Sequence, residues 1–195
     1  MKYDIILAGV GGQGVLSIAA ILGVAAVESG MHLKQAEVHG LSQRGGAVQS
    51  HFRISDQPIF SDLIAEGRAD MVLSMEPMEA LRYLPFLNAQ GVIVAELSPF
   101  VNISNYPEMD TIEASLRALP RVHLVDAVRV AKELRITRSS NMILLGAASH
   151  FVPLGPGQLE TAIGEVFGRK GAKVVEQNVM AFQKGRELVE AAGSA

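Results

Sequence analysis

Short apolar runs alternate along this chain with longer segments of helical period. Residues 3–8 form a short apolar run that predicts a buried strand, and residues 15–27 predict an apolar helix. Strands that alternate with helices are typical of an α/β sandwich around a largely parallel sheet. The same reasoning places further strands at 33–38, 46–54, 70–75, 91–97 and 121–125, and further helices at 77–84, 111–119, 127–134, 141–151, 157–167 and 171–192.

Two segments add features to this alternation. Polar and apolar residues alternate over 46–54, which predicts a strand with one wet face, and a turn at 55–58 leads to Ile59 and Phe60 as the start of a return strand. Residues 138–195 are expected to pack as a helical cap. The predicted fold is therefore an α/β, Rossmann-like three-layer sandwich with a largely parallel sheet, an added hairpin and C-terminal helices, in a single domain over residues 1–195.

A glycine-rich turn joins the first strand to the first helix. It matches G-x-G-x-x-G in the strand–turn–helix context that a dinucleotide site requires. Glycines allow the backbone to approach an anion, and the first turn of a helix directs free N–H groups at it. A tight turn without a ligand is the alternative. The candidate cofactor-binding residues of this turn are Gly9, Gly11, Gly12, Gln13 and Gly14.

A second polar loop follows the second predicted strand. In a doubly wound sheet, this loop lies at the carboxyl edge, beside the first glycine turn. Arg44 stands among glycines, and its planar guanidinium suits phosphate or carboxylate, so it is also the candidate catalytic residue. A solvated polar loop is the alternative. The candidate residues of this loop are Ser42, Gln43, Arg44, Gly45 and Gly46.

Two other positions suit a ligand at this edge. Glu37 ends the second strand about 20 residues after the glycines, where an acid binds a ribose hydroxyl in NAD sites. An ordinary local pair explains Glu37 equally well. Arg138 precedes an apolar helix and is placed to face an anion or a partner chain, whereas Ser140 or Asn141 is expected to cap that helix.

Composition excludes several classes of function. The net charge is −3 without a basic run, which argues against nucleic-acid binding. The absence of cysteine excludes disulfides, thiolate-held iron–sulfur clusters and cysteine nucleophiles within these residues, and it suits a reducing compartment. The apolar run at 15–27 is shorter than the ~20 residues that span a bilayer. We therefore expect a cytoplasmic protein that neither binds nucleic acid nor spans a membrane.

Motifs that would complete a reaction are missing. The sequence has no Walker lysine after the glycines, no G-x-S-x-G, no H-E-x-x-H and no Gly-Asp-Gly motif of the kind that holds thiamine diphosphate. His39 and His51 without clustered carboxylates make a poor metal site, so no metal is expected. The chain is interpreted as a nucleotide-binding or assembly part of something larger.

The two glycine-containing motifs, followed by residues 48–54, resemble the gamma domain of 2-oxoacid:ferredoxin oxidoreductases, and residues 138–146 are similar to a later stretch of that family. Within the family, the sequence looks most like the beta subunit of indolepyruvate:ferredoxin oxidoreductases. The gamma subunits of the pyruvate, 2-oxoglutarate and ketoisovalerate enzymes are close rivals. The resemblance covers nearly the whole chain.

This resemblance implies a function. It implies a non-redox subunit, inactive alone, of an enzyme that decarboxylates a 2-oxoacid, such as indolepyruvate or another aryl pyruvate, to an acyl-coenzyme A and passes electrons to ferredoxin. Thiamine diphosphate, Mg²⁺ and iron–sulfur clusters are then expected on a partner subunit. Gly9 to Gly14 become the phosphate-facing turn, and Ser42 to Gly46 become a loop facing the partner or coenzyme A. The competing hypotheses are a self-sufficient NAD-binding dehydrogenase domain and a binding module or scaffold.

Overall fold

A six-stranded sheet forms the centre of the computed structural model, which describes residues 1–39 and 45–193. The strands are β1 (Lys2–Val10), β2 (His32–His39), β3 (Ala47–Ser55), β4 (Ala69–Ser74), β5 (Leu87–Glu96) and β6 (Val122–Val125). Their order across the sheet is β2-β3-β1-β4-β5-β6. β1, β4, β5 and β6 are parallel neighbours, whereas β3 is antiparallel to both β1 and β2.

Helices cover both faces of the sheet. The helices are α1 (Val15–Glu28), α2 (Pro77–Arg82), α3 (Met109–Arg117), α4 (Ala127–Glu133), α5 (Ser140–Ala148), α6 (Pro156–Phe167) and α7 (Ala172–Gly193). Successive side chains of a strand point to opposite faces. Ile5 and Leu7 accordingly belong to a core shared with α1 and α4 to α7, while Ile6 and Ala8 belong to a second core shared with α2 and α3. The three-layer α/β prediction with C-terminal helices is confirmed.

The antiparallel part of the sheet differs from the predicted hairpin. β3 pairs with β1 along one edge and with β2 along the other, so neither edge is free for a return strand. The return strand at Ile59 and Phe60 is therefore wrong, and Phe60 is 95% exposed. The segment after β3 instead folds back across the sheet, where Arg53 Nη1 donates to the carbonyl oxygens of Ser61 and Leu63.

The same segment changes the environment of β3. The polar face of β3 is only partly solvated, and Ala47 at its start is exposed. Further along the strand this face is covered, since Ile64 N–H donates to Nδ1 of the buried His51 at 3.0 Å. Arg53 Nε also donates to the fully buried Asp4 carboxylate at 2.9 Å. The predicted wet face is therefore confirmed only at the start of the strand.

Strand direction sets which loops meet. β1 and β2 are both antiparallel to β3, so they run in the same direction and end at the same edge of the sheet as β4, β5 and β6. We call this the carboxyl edge. The glycine turn and the start of β3 meet there, since Gly11 N–H donates to Gly46 O at 2.8 Å. The second polar loop therefore ends beside the glycine turn, although β3 lies between β1 and β2.

Helices α5 and α7 cross so closely that their backbones are in contact. A Cβ atom added to Gly146 would lie 1.9 Å from Phe182 O, and one added to Gly185 would lie 1.8 Å from Ile143 O. Each helix therefore needs a glycine where the other backbone passes.

None of the helices within residues 1–39 and 45–193 combines the length and the apolar character that crossing a bilayer requires.

The helix crossing generates a stability prediction. Gly146→Ala forces α5 and α7 apart, and we expect the free energy of unfolding to fall by about 2 kcal/mol or more, as in overpacked cores. Gly164→Ala is the matched control, because no atom lies within 4 Å of a Cβ added there and alanine favours the helix. Urea denaturation followed by circular dichroism measures both variants. Equal stability of the two proteins would contradict the close crossing.

Candidate functional site at the carboxyl edge

A cavity of about 700 Å³ opens at the carboxyl edge of the sheet. The glycine turn, the ends of β4 and β5 and the start of α5 form its walls, and residues that flank and begin α7 close the far side. Ligands of open α/β sheets bind outside the carboxyl ends of the strands. The position and the volume of this cavity are those of a small-molecule site.

Two glycines of the turn have left-handed backbone conformations beside the cavity. Gly12 has φ of 104° and Gly14 has φ of 86°, a region that side chains disfavour. Gly14 also has no room for a side chain, because an added Cβ would lie 2.4 Å from Asn141 Nδ2. Asn141 donates to Gly14 O at 3.3 Å, so the first turn of α5 holds the start of α1 in place.

The first glycine and the glutamine of the turn serve the backbone. A Cβ on Gly9 would lie 2.9 Å from Met75 Cβ, so a larger residue would separate β1 from the end of β4. Gln13 Oε1 accepts Val10 N–H at 2.7 Å, and Gln13 Nε2 donates to Met75 O at 3.0 Å. The Gln13 amide therefore joins the ends of the two strands, and Gly9 lies outside the cavity lining.

The glycine turn contacts the end of the second polar loop. In addition to the bond from Gly11 N–H to Gly46 O, Gly45 N–H donates to Gly11 O at 3.3 Å. The Asn102 side chain donates to Gly45 O. Gly11 faces a smaller apolar groove of about 260 Å³ that it shares with Leu16 and Val48. The turn thus separates a polar cavity from an apolar groove.

The other sequence candidates are Glu37 and three residues of the second polar loop. Ser42, Gln43 and Arg44 lie outside the described residues. Glu37 is exposed on the edge strand β2, where Gln35 Nε2 donates to its carboxylate. Glu37 does not line the cavity, and β3 separates its strand from β1. The role of Glu37 as a ribose-binding acid stays a prediction.

Cationic and hydroxyl side chains line the cavity together with the glycine turn. Arg138 and Lys170 both line it, together with the buried Ser139. Ser139 is the residue that precedes α5, and its hydroxyl makes no capping bond, so the predicted cap at Ser140 or Asn141 is wrong. The sequence analysis singled out Arg138 as a candidate. Nothing in the sequence around Lys170 indicates a binding role, because only the tertiary fold brings Lys170 to this cavity.

Glu96 is the one acid among the described residues that line the cavity, and it is 4% exposed. Its Oε1 accepts Leu97 N–H at 3.0 Å and Ser98 N–H at 2.9 Å. Burial raises the pKa of Glu96 to about 7, with a smaller rise from Asp126, and backbone N–H groups including that of Val128 oppose the rise. The carboxyl therefore changes charge near neutral pH.

A second buried acid, Glu76, holds the loop above the cavity. The Glu76 side chain caps α2 by accepting Glu79 N–H at 2.9 Å. It also accepts the Tyr106 hydroxyl and, at 3.4 Å, Phe100 N–H. Phe100 lines the cavity, so Glu76 positions one of its apolar walls. Burial and the bond to Glu76 raise the pKa of Tyr106, so the hydroxyl stays a donor.

The arrangement suits binding better than catalysis. Helix N–H groups, two cations and hydroxyls are the groups that hold phosphates and carboxylates. No cluster of three potential metal ligands occurs in the described parts of the chain. The cavity therefore offers donors to an anion.

Comparisons with known proteins place this fold in a family. Residues 4–188 match the family model of pyruvate ferredoxin/flavodoxin oxidoreductase. The chain belongs to the pyruvate ferredoxin/flavodoxin oxidoreductase family. The indolepyruvate oxidoreductase subunit IorB of Archaeoglobus fulgidus is 35% identical over 194 residues, which cover 95% of this chain and 94% of that protein. The 2-oxoglutarate synthase subunit KorC of Methanothermobacter marburgensis is 31% identical, with 97% of each chain covered.

Solved structures agree with the fold of this family. The gamma subunit of a keto/oxoacid ferredoxin oxidoreductase from Geobacter sulfurreducens superposes with a TM-score of 0.71 at 26% identity, covering 97% of this chain and 99% of that one. The 2-oxoglutarate:ferredoxin oxidoreductase of Magnetococcus marinus, with 2-oxoglutarate, coenzyme A and succinyl-CoA bound, gives a TM-score of 0.77 at 21% identity. That match covers 97% of this chain and 31% of the longer one.

The raised pKa of Glu96 predicts a pH-dependent stability. A folded-state pKa of about 7 against a usual 4.5 means that the folded chain holds the proton more tightly. The stabilisation of the folded state by protonated Glu96 is fully present below pH 4.5 and is lost as the pH rises through 7. We expect the Glu96 contribution to the free energy of unfolding to fall by roughly 3 kcal/mol between pH 4.5 and 8.

The isosteric variant tests this assignment. Glu96→Gln keeps an acceptor for the two backbone N–H groups but does not titrate, so its stability is expected to depend less on pH than that of the unmodified chain. Urea denaturation at pH 5 and pH 8 gives the comparison. Identical pH profiles for the two proteins would show that Glu96 ionises normally.

Proposed function

We propose that this chain is the non-redox subunit of a 2-oxoacid:ferredoxin oxidoreductase, with indolepyruvate or another aryl pyruvate as the substrate class. The observation that carries the proposal is the full-length similarity to IorB subunits, 35% identical in Archaeoglobus fulgidus. The gamma subunit of a 2-oxoglutarate, pyruvate or ketoisovalerate enzyme is the second candidate, which the 31% identity to KorC favours. We propose that residues 1–195 act as one domain in the cytoplasm.

The reaction divides between two kinds of subunit. A 2-oxoacid and coenzyme A give an acyl-coenzyme A, carbon dioxide, one proton and two electrons, and the electrons reduce ferredoxin. Thiamine diphosphate with Mg²⁺ and iron–sulfur clusters supply the decarboxylation and the electron transfer when they are bound by the companion subunit. This chain has no cysteine and no cluster of metal ligands in its described parts, which fits a division of that kind.

Coenzyme A is the ligand that we propose for the cavity. The backbone of Gly12 and Gly14 and the start of α1 offer N–H groups, and Arg138 and Lys170 offer positive charge. Those groups suit the phosphates of coenzyme A. The loop that contains Ser42, Gln43 and Arg44 joins β2 to β3 at the same edge and is proposed to face the ligand or the companion.

The companion is proposed to dock on the loop above the cavity. Residues 97–107 contain no charged residue, although 19% of the chain is charged. Val101 is 66% exposed and Ile103 is 42% exposed on this loop. Interface centres are depleted in charge and contain apolar anchors. A companion seated here would meet the ligand at the mouth of the cavity.

Reconstitution tests the proposed function. The chain is co-expressed with the thiamine-type subunit encoded beside it, and the purified complex is assayed anaerobically for ferredoxin reduction with indolepyruvate, 2-oxoglutarate and pyruvate. We expect activity only from the complex, with indolepyruvate as the best substrate. Preference for 2-oxoglutarate would favour the second candidate. Turnover by this chain alone would overturn the division of labour.

The docking loop generates a specific prediction. The double variant Val101→Asp and Ile103→Asp places two charges on the loop, and we expect it to lose co-purification with the companion because buried charges are costly at an interface. Phe60→Asp is the control, since Phe60 is exposed but lies after β3, which runs away from the carboxyl edge. Loss of the complex only in the control would place the companion elsewhere.

Arg44 generates a second prediction. Arg44→Ala is expected to lower the activity of the assembled enzyme about tenfold or more by raising the KM for coenzyme A, because one charge-assisted contact is lost. The melting temperature of the chain should stay unchanged. Arg68→Ala, an exposed arginine before β4, serves as the control. Equal KM values for Arg44→Ala and the unmodified enzyme would reject the role of Arg44.

A further inference from the structure

The cavity combines a set of donors with a single acid. Arg138, Lys170, Ser139 and the start of α1 present positive charge or hydrogen-bond donors to the interior. Glu96 stands against this pattern, because an ionised carboxylate beside a bound anion repels it. Glu96 is only 4% exposed, so solvent does not screen this repulsion, and the presence of the acid needs a chemical explanation.

The surroundings of Glu96 leave it free to gain or lose a proton. On its own loop, the N–H groups of Leu97 and Ser98 bind Oε1, and on α4 the Val128 N–H also favours the ionised form. Asp126, at the start of α4, opposes ionisation, although it is itself paired with Arg129. No cation within residues 1–39 and 45–193 forms an ion pair with Glu96.

We propose that Glu96 contacts the bound anion as a neutral carboxylic acid and takes up one proton from solvent when the ligand enters the cavity. In that form its O–H donates to a ligand oxygen and joins the other donors of the cavity. The carboxylate and the incoming proton give the acid, and no other bond changes. The inference rests on the proposed binding of coenzyme A, which serves as the probe.

Two consequences of this protonation are measurable. With a free-state pKa of about 7, most Glu96 carboxyls are ionised at pH 7.5, so binding takes up as much as about 0.8 proton per ligand. The affinity then falls as the pH rises. Between pH 6.5 and 8.5, the ratio of the unmodified chain's affinity to that of Glu96→Gln should drop by up to about twenty-fivefold.

Titration calorimetry of the full chain with coenzyme A, in HEPES and in Tris at pH 7.5, counts the protons. The 3′-phosphate of the probe titrates in the same range, so the count that matters is the difference between the unmodified chain and Glu96→Gln. We expect the variant to lose most of the uptake. Glu113→Gln on α3 removes the same charge on the opposite face of the sheet and should keep it.

Each outcome decides the proposal. Equal proton uptake by Glu96→Gln and the unmodified chain overturns it, and so does a loss of uptake in Glu113→Gln. If Glu96→Gln does not fold, the ¹³C carboxyl resonance of Glu96 in the unmodified chain must move to the protonated position on addition of coenzyme A, and an unmoved resonance overturns the proposal. A chain that binds no coenzyme A overturns this inference and the proposed ligand, while co-purification still decides the subunit assignment.

Discussion

The Gln13 side chain joins the end of β1 to the end of β4, and this contact fixes the part of the cavity wall that the glycine turn and Met75 form. Its amide satisfies Val10 N–H on one strand and Met75 O after the other. Both groups lie where strand pairing stops, and unpaired backbone groups in a buried position are costly. With the two strand ends fixed, the turn can place Gly14 against Asn141 at the wall of the cavity. Gln13 belongs to a motif that predicts ligand binding, but its side chain hydrogen-bonds to the protein backbone.

The glycine turn then divides the carboxyl edge into two environments. On one side lies the polar cavity with its cations, and on the other lies an apolar groove bounded by Val15 and Val48. The bonds between Gly11 and the Gly45–Gly46 pair join this turn to the start of β3. A movement of one loop therefore displaces the other. The two glycine motifs are therefore hydrogen-bonded to each other at the carboxyl edge.

The sequence predicted the layers better than the lateral order of the strands. Hydrophobic periodicity located every strand of the sheet. Periodicity carries no information on which strands are neighbours, so the position of β3 between β1 and β2 could not be predicted from it. Only part of the cavity lining was recognised from the sequence. The glycines and Arg138 carry local signals, whereas Glu96 ends an ordinary apolar strand and Lys170 follows a helix, and only the tertiary fold brings them together.

Buried Glu96 and the cations opposite it are costs for an isolated fold. A carboxyl transferred from water to a site that is 4% exposed loses solvation, and two cations that share a cavity repel each other. Departures from local stability rules of this kind concentrate at functional sites. A bound anion would offset the repulsion between the cations, and a proton would offset the burial of the acid. Under the proposed function, one protonated contact to an anionic ligand would therefore reduce both costs at once.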